Sequence, residues 1–425
     1  MPLVDRDAHV EDLASFIRES PSSYHAASTV ADRLVAAGFE RLDEADAWPE
    51  GPGRRVVVRD GAVIAWVVPE AATATSPYRI IGAHTDSPSF KLKPGASTSS
   101  EGVLQAGVEV YGGPLLNSWL DRELELAGRL VTADGTVHLV RSGPLLRIPQ
   151  LAIHLDREVN KGLTLDRQRH LQPIWGSGAA RDVLAHLADL AGLSVEAIAG
   201  HDVLVADTAA PARFGLDDVF FAAGRQDNLT SVHAGLVALL AAADDAASDH
   251  VSVLAAFDHE ELGSESRSGA SGPFLVDVLA RIAAALGADE VDRRRAFAQS
   301  WLLSSDAGHA VHPNYPERHD PVNRPHLGGG PLLKLNANQK YASDALGSAL
   351  WARTCEQAGV AFQPFVSNNA IPCGSTIGPL SATRLGIRTV DVGTPLLSMH
   401  SARELSHVDD LAALGAAATA FLTPA

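Results

Sequence analysis

YRIIGAHTD, residues 78–86, is the stretch whose reading decides the fold. Its apolar run reads as a short buried strand that ends on a polar group, His84. Residues i and i+2 of a strand face the same way, so His84 and Asp86 share a side. An Asp at that spacing can hold the second ring nitrogen of a metal-bound His. A core His followed by a capping Asp has the same spelling, and the stretch alone leaves both readings open. Upstream, residues 8–38 carry apolar positions at helical spacing (Leu13, Phe16, Ile17, then Val30, Leu34, Val35) and stop at Gly38. RRVVVRDGAVIAWVVPE follows, two β-rich runs joined by Asp60-Gly61, which predicts a hairpin. Helix, hairpin and a strand that ends on a polar residue predict an α/β layer fold with its site at strand ends.

Working outward, the texture changes between about 94 and 222. GVLQAGVEVYGG, LELAGRLVTADGTVHLVR and LRIPQLAIHL are strand-like, with Gly and Asp-Gly turns, and one helix over about 179–191 interrupts them. After 223 the alternation returns: a helix over 228–243, a strand over 251–258, a helix over 273–286 and a strand over 301–306. A helix over 343–358, a strand over 388–393 and a terminal helix over 406–422 complete it. The expected architecture is a central mixed sheet flanked by helices, built from 1–93 and 223–425, with a β-rich insertion at 94–222. The Pro- and Gly-rich segment 312–331 reads as an ordered loop, and 287–299 as loop or helix.

Composition excludes several classes of function. A net charge of −17 argues against nucleic acid and anionic membranes as partners, since both need a basic footprint. It does not set the charge of a small substrate, because a local cation can bind an anion inside a repulsive global field. No apolar run is long enough to span a bilayer, and the N-terminus lacks the pattern of a signal peptide. Two cysteines, Cys355 and Cys373, form neither a metal knuckle nor a disulfide framework, so a cytoplasmic location is expected. GxSxG, P-loop and strand-linked GxGxxG patterns are absent from the sequence.

Four more signposts resemble the first. Asp227 stands at a helix start, where a short carboxylate can bridge two cations or simply cap the helix. Glu260 and Glu261 follow the apolar run Val251–Phe257. Neighbouring strand residues face opposite ways, so both can serve one site only where the strand gives way to a loop, which Leu262-Gly263-Ser264 supplies. One Glu could then be a ligand and the other a general base for a metal-bound water. His259-Glu260 does not open an HExxH helix, because Gly263 stands where the second His would be. Asp306 ends WLLSSD, with His309 and His312 close behind, and His400 follows TPLLSM. An α/β sheet brings such positions to one edge. Mixed His and carboxylate donors without thiolate suit a hydrolytic zinc centre, with Mn²⁺ or Co²⁺ as substitutes.

Eight segments then resemble one family: GAHTDSPSFKLKP (82–94), AIHLDREVNKG (152–162), GRQDNLTS (224–231), FDHEELGSESRSGA (257–270), SSDAGHAVHPNYPERHDP (304–321), LKLNANQKYASD (333–344), PCGSTIGP (372–379) and DVGTPLLSMHSARE (391–404). In order and spacing they resemble the aspartyl aminopeptidases, dinuclear zinc exopeptidases. The resemblance implies two zinc ions per subunit, bridged by Asp227, with His84 and Asp306 on one and Glu261 and His400 on the other. It implies Glu260 as the general base for a metal-bridging water, and Asp86 as the residue that orients His84. Lys334, His309 and Tyr341 match its substrate pocket, with Lys334 pairing to the carboxylate of an N-terminal Asp or Glu. It also implies that the insertion makes dimer contacts, that dimers build a tetrahedral dodecamer, and that His154 reaches a neighbour's active site as a substrate contact. His154 as a third histidine ligand is the alternative. A broad-specificity aminopeptidase, a deacylase or a non-catalytic peptide-binding shell on the same scaffold are the competing functions.

Overall fold

The computed structural model describes residues 5–245 and 248–424. Among these, nine strands form the main sheet. Its spatial order is Glu40–Arg41, Gly53–Arg59, Ala62–Val68, Val251–Phe257, Tyr78–His84, Trp301–Ser305, Arg388–Gly393, Leu332–Leu335 and Gln363–Val366. The four middle strands run parallel to one another, and the strands bordering them on either side run antiparallel. The sheet is therefore mixed, with helices on both faces.

Strand alternation assigns the side chains to the two faces. Ile81, Ala83, Leu254 and Val390 pack with the helices Arg6–Glu19, Ser23–Ala36, Gln226–Ala243, Ala345–Ala358 and Val408–Leu422. Tyr78, Ile80, Val253 and Phe257 pack on the other face with the helices Phe274–Ala285, Glu290–Gln299 and Ile377–Leu385. Burying each such aliphatic or aromatic side chain is worth about 1.5–3 kcal/mol, so this double-sided core fixes the strand order. Gly82 is required by close approach: a Cβ there would stand 2.8 Å from Ile377 Cδ1.

A second sheet has six antiparallel strands. Its order is Val137–Arg141, Leu124–Thr132, Ile198–Asp207, Ser89–Ser100, Val103–Tyr111 and Ile174–Ser177. Its own core includes Phe90, Leu126, Trp119 and Val203, and the helix Val183–Leu190 packs on it. The change of texture read at 94 falls inside the strand Ser89–Ser100.

Several elements differ from the sequence reading. The opening helical segment is two helices, broken at Ser20-Pro21-Ser22, because Pro21 cannot donate and Ser22 caps the second helix. Segment 287–299 contains the helix Glu290–Gln299, capped by Asp289. The strands Leu332–Leu335 and Gln363–Val366 and the helix Ile377–Leu385 were not anticipated. Each is short, so periodicity had little length in which to show.

Candidate metal centre

Parallel pairing puts the carboxyl ends of the four middle strands at one edge, where ligand sites form in such sheets. Phe257 pairs with His84, and Ser305 pairs with Val392. The residues that leave these strands therefore emerge side by side: His84 and Asp86, Glu260 and Glu261, Asp306, and the loop to His400. Asp227 arrives from the neighbouring turn. Arg225, at φ 61°, and the non-helical Asp227 and Asn228 hold the chain open before the regular helix begins.

Asp227 stands at the middle of the cluster. Its Oδ1 lies 3.3 Å from His84 Nε2, and its Oδ2 lies 3.4 Å from His400 Nε2. Asp306 Oδ1 is also 3.3 Å from His84 Nε2. Glu261 Oε2 is also 3.4 Å from His400 Nε2. Each oxygen of Asp227 thus meets a His whose Nε2 also meets a second carboxylate. The five residues proposed as ligands from the sequence are brought together.

The tautomers follow from the other ring nitrogens. His84 Nδ1 lies 3.0 Å from the Asp86 main-chain carbonyl, and His400 Nδ1 lies 3.0 Å from the Gly113 carbonyl. A carbonyl only accepts, so each Nδ1 is the donor and each neutral ring turns the lone pair of Nε2 toward carboxylate oxygens. A lone pair facing carboxylates is repulsive, so Nε2 needs positive charge beside it, from a metal ion or, without one, from a proton. Asp227 Oδ1 is buried with no hydrogen-bond partner among the described residues. His84, Asp227 and Glu261 offer ligand atoms within 4.8 Å of one another. The donor set fits zinc at this position.

The electrostatics make the same demand for positive charge. Burial alone pulls the His400 ring down, yet Asp227 and Glu261 raise it to about 10. His84 is likewise raised well above its ordinary value, against burial, by Asp227, Asp306 and Asp86. Burial pushes Glu260 up to about 7, and the neighbouring carboxylates add to this against His84. Glu261 is raised well above the usual carboxylate range by burial and Asp227.

Asp86 touches His84 mainly through its main chain; its carboxylate lies 3.5 Å from Nδ1. That carboxylate accepts the N–H of Glu260 at 3.0 Å, the N–H of Glu261 at 3.2 Å and the hydroxyl of Tyr111 at 2.9 Å. Its larger contribution is to hold the turn that carries both glutamates. Glu404, which the sequence reading did not single out, accepts the N–H of His400 at 2.8 Å and that of Asp227 at 3.0 Å. Its position four residues after His400 carries no signal, because it acts on main-chain atoms.

A cavity of about 720 Å³ opens over the cluster. His309, Lys334, Tyr341, Arg318 and Phe365 line it together with the residues above. Lys334 is 1% exposed, so its ammonium must be satisfied internally. It donates to the Ala307 carbonyl at 2.7 Å and to Asp306 Oδ2 at 3.3 Å. Tyr341 and Phe365 pack edge to face beside it. His154 lies on an exposed turn and is not part of this cavity within one chain.

Comparison with known proteins agrees with this chemistry. Residues 16–422 match the family model described as aminopeptidase I zinc metalloprotease, M18. A probable M18 family aminopeptidase 2 from Streptomyces avermitilis is 55% identical, over 97% of each chain. Its counterpart from Streptomyces coelicolor is 53% identical, over 98% of each chain. The structure is similar to that of the mApe1 dodecamer of S. cerevisiae, with a TM-score of 0.86 and 29% identity over 98% of this chain and 96% of that one. The chain belongs to the M18 family of zinc metalloproteases and is a metal-dependent aminopeptidase.

Proposed function

We propose that this aminopeptidase removes N-terminal Asp and Glu from peptides at a centre of two zinc ions per subunit, with Mn²⁺ or Co²⁺ as substitutes. His84 and Asp306 would hold one ion, Glu261 and His400 the other, and Asp227 both. The observation that carries this reading is Asp227, whose two oxygens lie 3.3 and 3.4 Å from the Nε2 atoms of two different histidines, each with a second carboxylate beside that same nitrogen. When bound, such ions acidify the attacking water and polarise the scissile carbonyl. Glu260 takes a proton from that water and passes it to the leaving amine nitrogen as the C–N bond breaks. Asp86 holds the turn that aims Glu260.

Lys334 pairs with the side-chain carboxylate of the terminal residue, in exchange for part of its contact with Asp306. His309 and Tyr341 wall the same pocket. The six-stranded sheet, expected from the sequence as the 94–222 insertion between 1–93 and 223–425, would make dimer contacts. Those would build a dodecamer like that of the yeast neighbour. In that assembly the exposed His154 would reach a neighbouring subunit's cavity as a substrate contact. No helix among the described residues is long and apolar enough to cross a membrane. Two free cysteines accord with a reducing, cytoplasmic setting.

The test compares initial rates on aspartyl-, glutamyl- and leucyl-p-nitroanilide and on N-acetyl-aspartyl-p-nitroanilide, before and after chelation and zinc return. The reading expects metal-dependent cleavage of the two free acidic substrates. Preference for the leucyl substrate would discard acidic specificity, and cleavage of the N-blocked substrate would discard the exopeptidase reading.

A further inference from the structure

The segment Tyr111–Ser118 leaves the end of a strand of the six-stranded sheet and lies against the metal centre. Three successive residues touch three different parts of it. The Tyr111 hydroxyl donates to Asp86 Oδ2 at 2.9 Å. Gly112, at φ 68°, packs so closely that a Cβ there would stand 3.2 Å from Glu261 Cβ. The Gly113 carbonyl lies 3.0 Å from His400 Nδ1. The contact then continues: the Leu115 N–H donates to the His400 carbonyl at 2.8 Å, and Ser118 Oγ accepts the Ala402 N–H at 2.9 Å.

We propose that this segment is a strap by which the inserted sheet positions the metal centre, with Tyr111 a positioning residue that acts through Asp86. The route is short. Tyr111 is 8% exposed, and its ring packs with Tyr24 and Leu204 of the surrounding core, so its hydroxyl is held in place. Asp86 uses the same carboxylate to accept the Glu260 and Glu261 N–H groups. A carboxylate fixed by three donors holds that turn in one orientation; with two, it can rotate and carry Glu261 away from His400. Partners of this kind change metal affinity by about 10- to 100-fold when removed. A shift of the inserted sheet would therefore be felt at the centre without any change in the ligands themselves. This inference rests on the two-zinc reading of the site.

The experiment follows zinc release from the fully loaded full-length protein into a colorimetric chelator. Wild type, Tyr111→Phe, Asp86→Asn and the double variant are compared. Wild type must release two zinc ions per chain; one or none would overturn the two-zinc reading itself. With two present, Tyr111→Phe is expected to release one of them about 10- to 100-fold faster and leave the other unchanged. Its kcat should fall with KM nearly constant, and the effect on release should vanish in the Asp86→Asn background. Release like wild type, or an effect that persists undiminished beside Asp86→Asn, would overturn the role of Tyr111. If Tyr111→Phe does not fold, Ser118→Ala tests the strap from the His400 side. Faster loss of one ion is expected, and unchanged loss would overturn the proposal.

Discussion

Glu404 accepts the main-chain N–H of Asp227 at 3.0 Å. Its other oxygen accepts the N–H of His400 at 2.8 Å, so one buried carboxylate spaces two proposed ligands without touching either side chain. Glu404→Gln would turn an amide N–H toward one of these N–H groups and leave it unpaired. The expected cost is about 1–3 kcal/mol of stability, together with partial loss of one zinc. Urea unfolding and metal analysis of the same sample check both, and unchanged zinc content would show that the spacing does not depend on Glu404.

Glu260 is assigned the proton transfers and no ligand bond. Glu260→Gln should therefore lower kcat by about 10²- to 10⁴-fold while the protein retains its zinc. Retained activity would remove Glu260 from the reaction, and lost zinc would make it a ligand.

Lys334 supplies the buried cation of the cavity. Lys334→Met should lower kcat/KM on acidic substrates by about 10- to 100-fold, the worth of one hydrogen-bonded charge pair, and spare the leucyl substrate. Equal losses on both would show that its contact with Asp306 matters and that it does not read the substrate.

Two buried histidines outside the proposed ligand set bear on acid stability. Burial, aided by His233, pushes His9 down to about 3, and burial pushes His25 to about 4. Both are bases with depressed values, so the unfolded chain binds the extra protons between those values and about 6.5. Stability is full above about pH 6.5 and falls as the pH drops toward 4, with His9 contributing on the order of 4 kcal/mol. Urea midpoints from pH 7.5 to 4.5 should decline less steeply in His9→Phe than in wild type. Parallel curves would exclude His9 as a source of the decline.

The sheet edge was legible in the sequence because His84, Asp306 and Glu261 stand at or just past the ends of apolar runs. Parallel strands buried on both faces have to be apolar throughout, so a polar residue at the end of one is conspicuous. Asp227 was legible only jointly with the others, since an Asp at a helix start is usually a cap. The supporting contacts were not legible. Gly113 acts through a carbonyl and Glu404 through main-chain partners, which leave no mark on residue choice. Tyr111 ends a strand whose alternation accounts for it as core. The Asp86 carboxylate, expected to orient His84, lies 3.5 Å from His84 Nδ1; the three further donors it accepts were not legible, because two of them are main-chain groups. Leu332–Leu335, the strand that carries Lys334, is four residues long, too short for its pattern to stand out.

The most direct test is an anomalous difference map at the zinc edge from a crystal of the zinc-loaded protein. Two peaks about 3.5–4 Å apart are predicted, one beside His84 and Asp306 and one beside His400 and Glu261, with Asp227 touching both. A single peak, or two peaks with Asp227 bound to only one, would contradict the bridged centre.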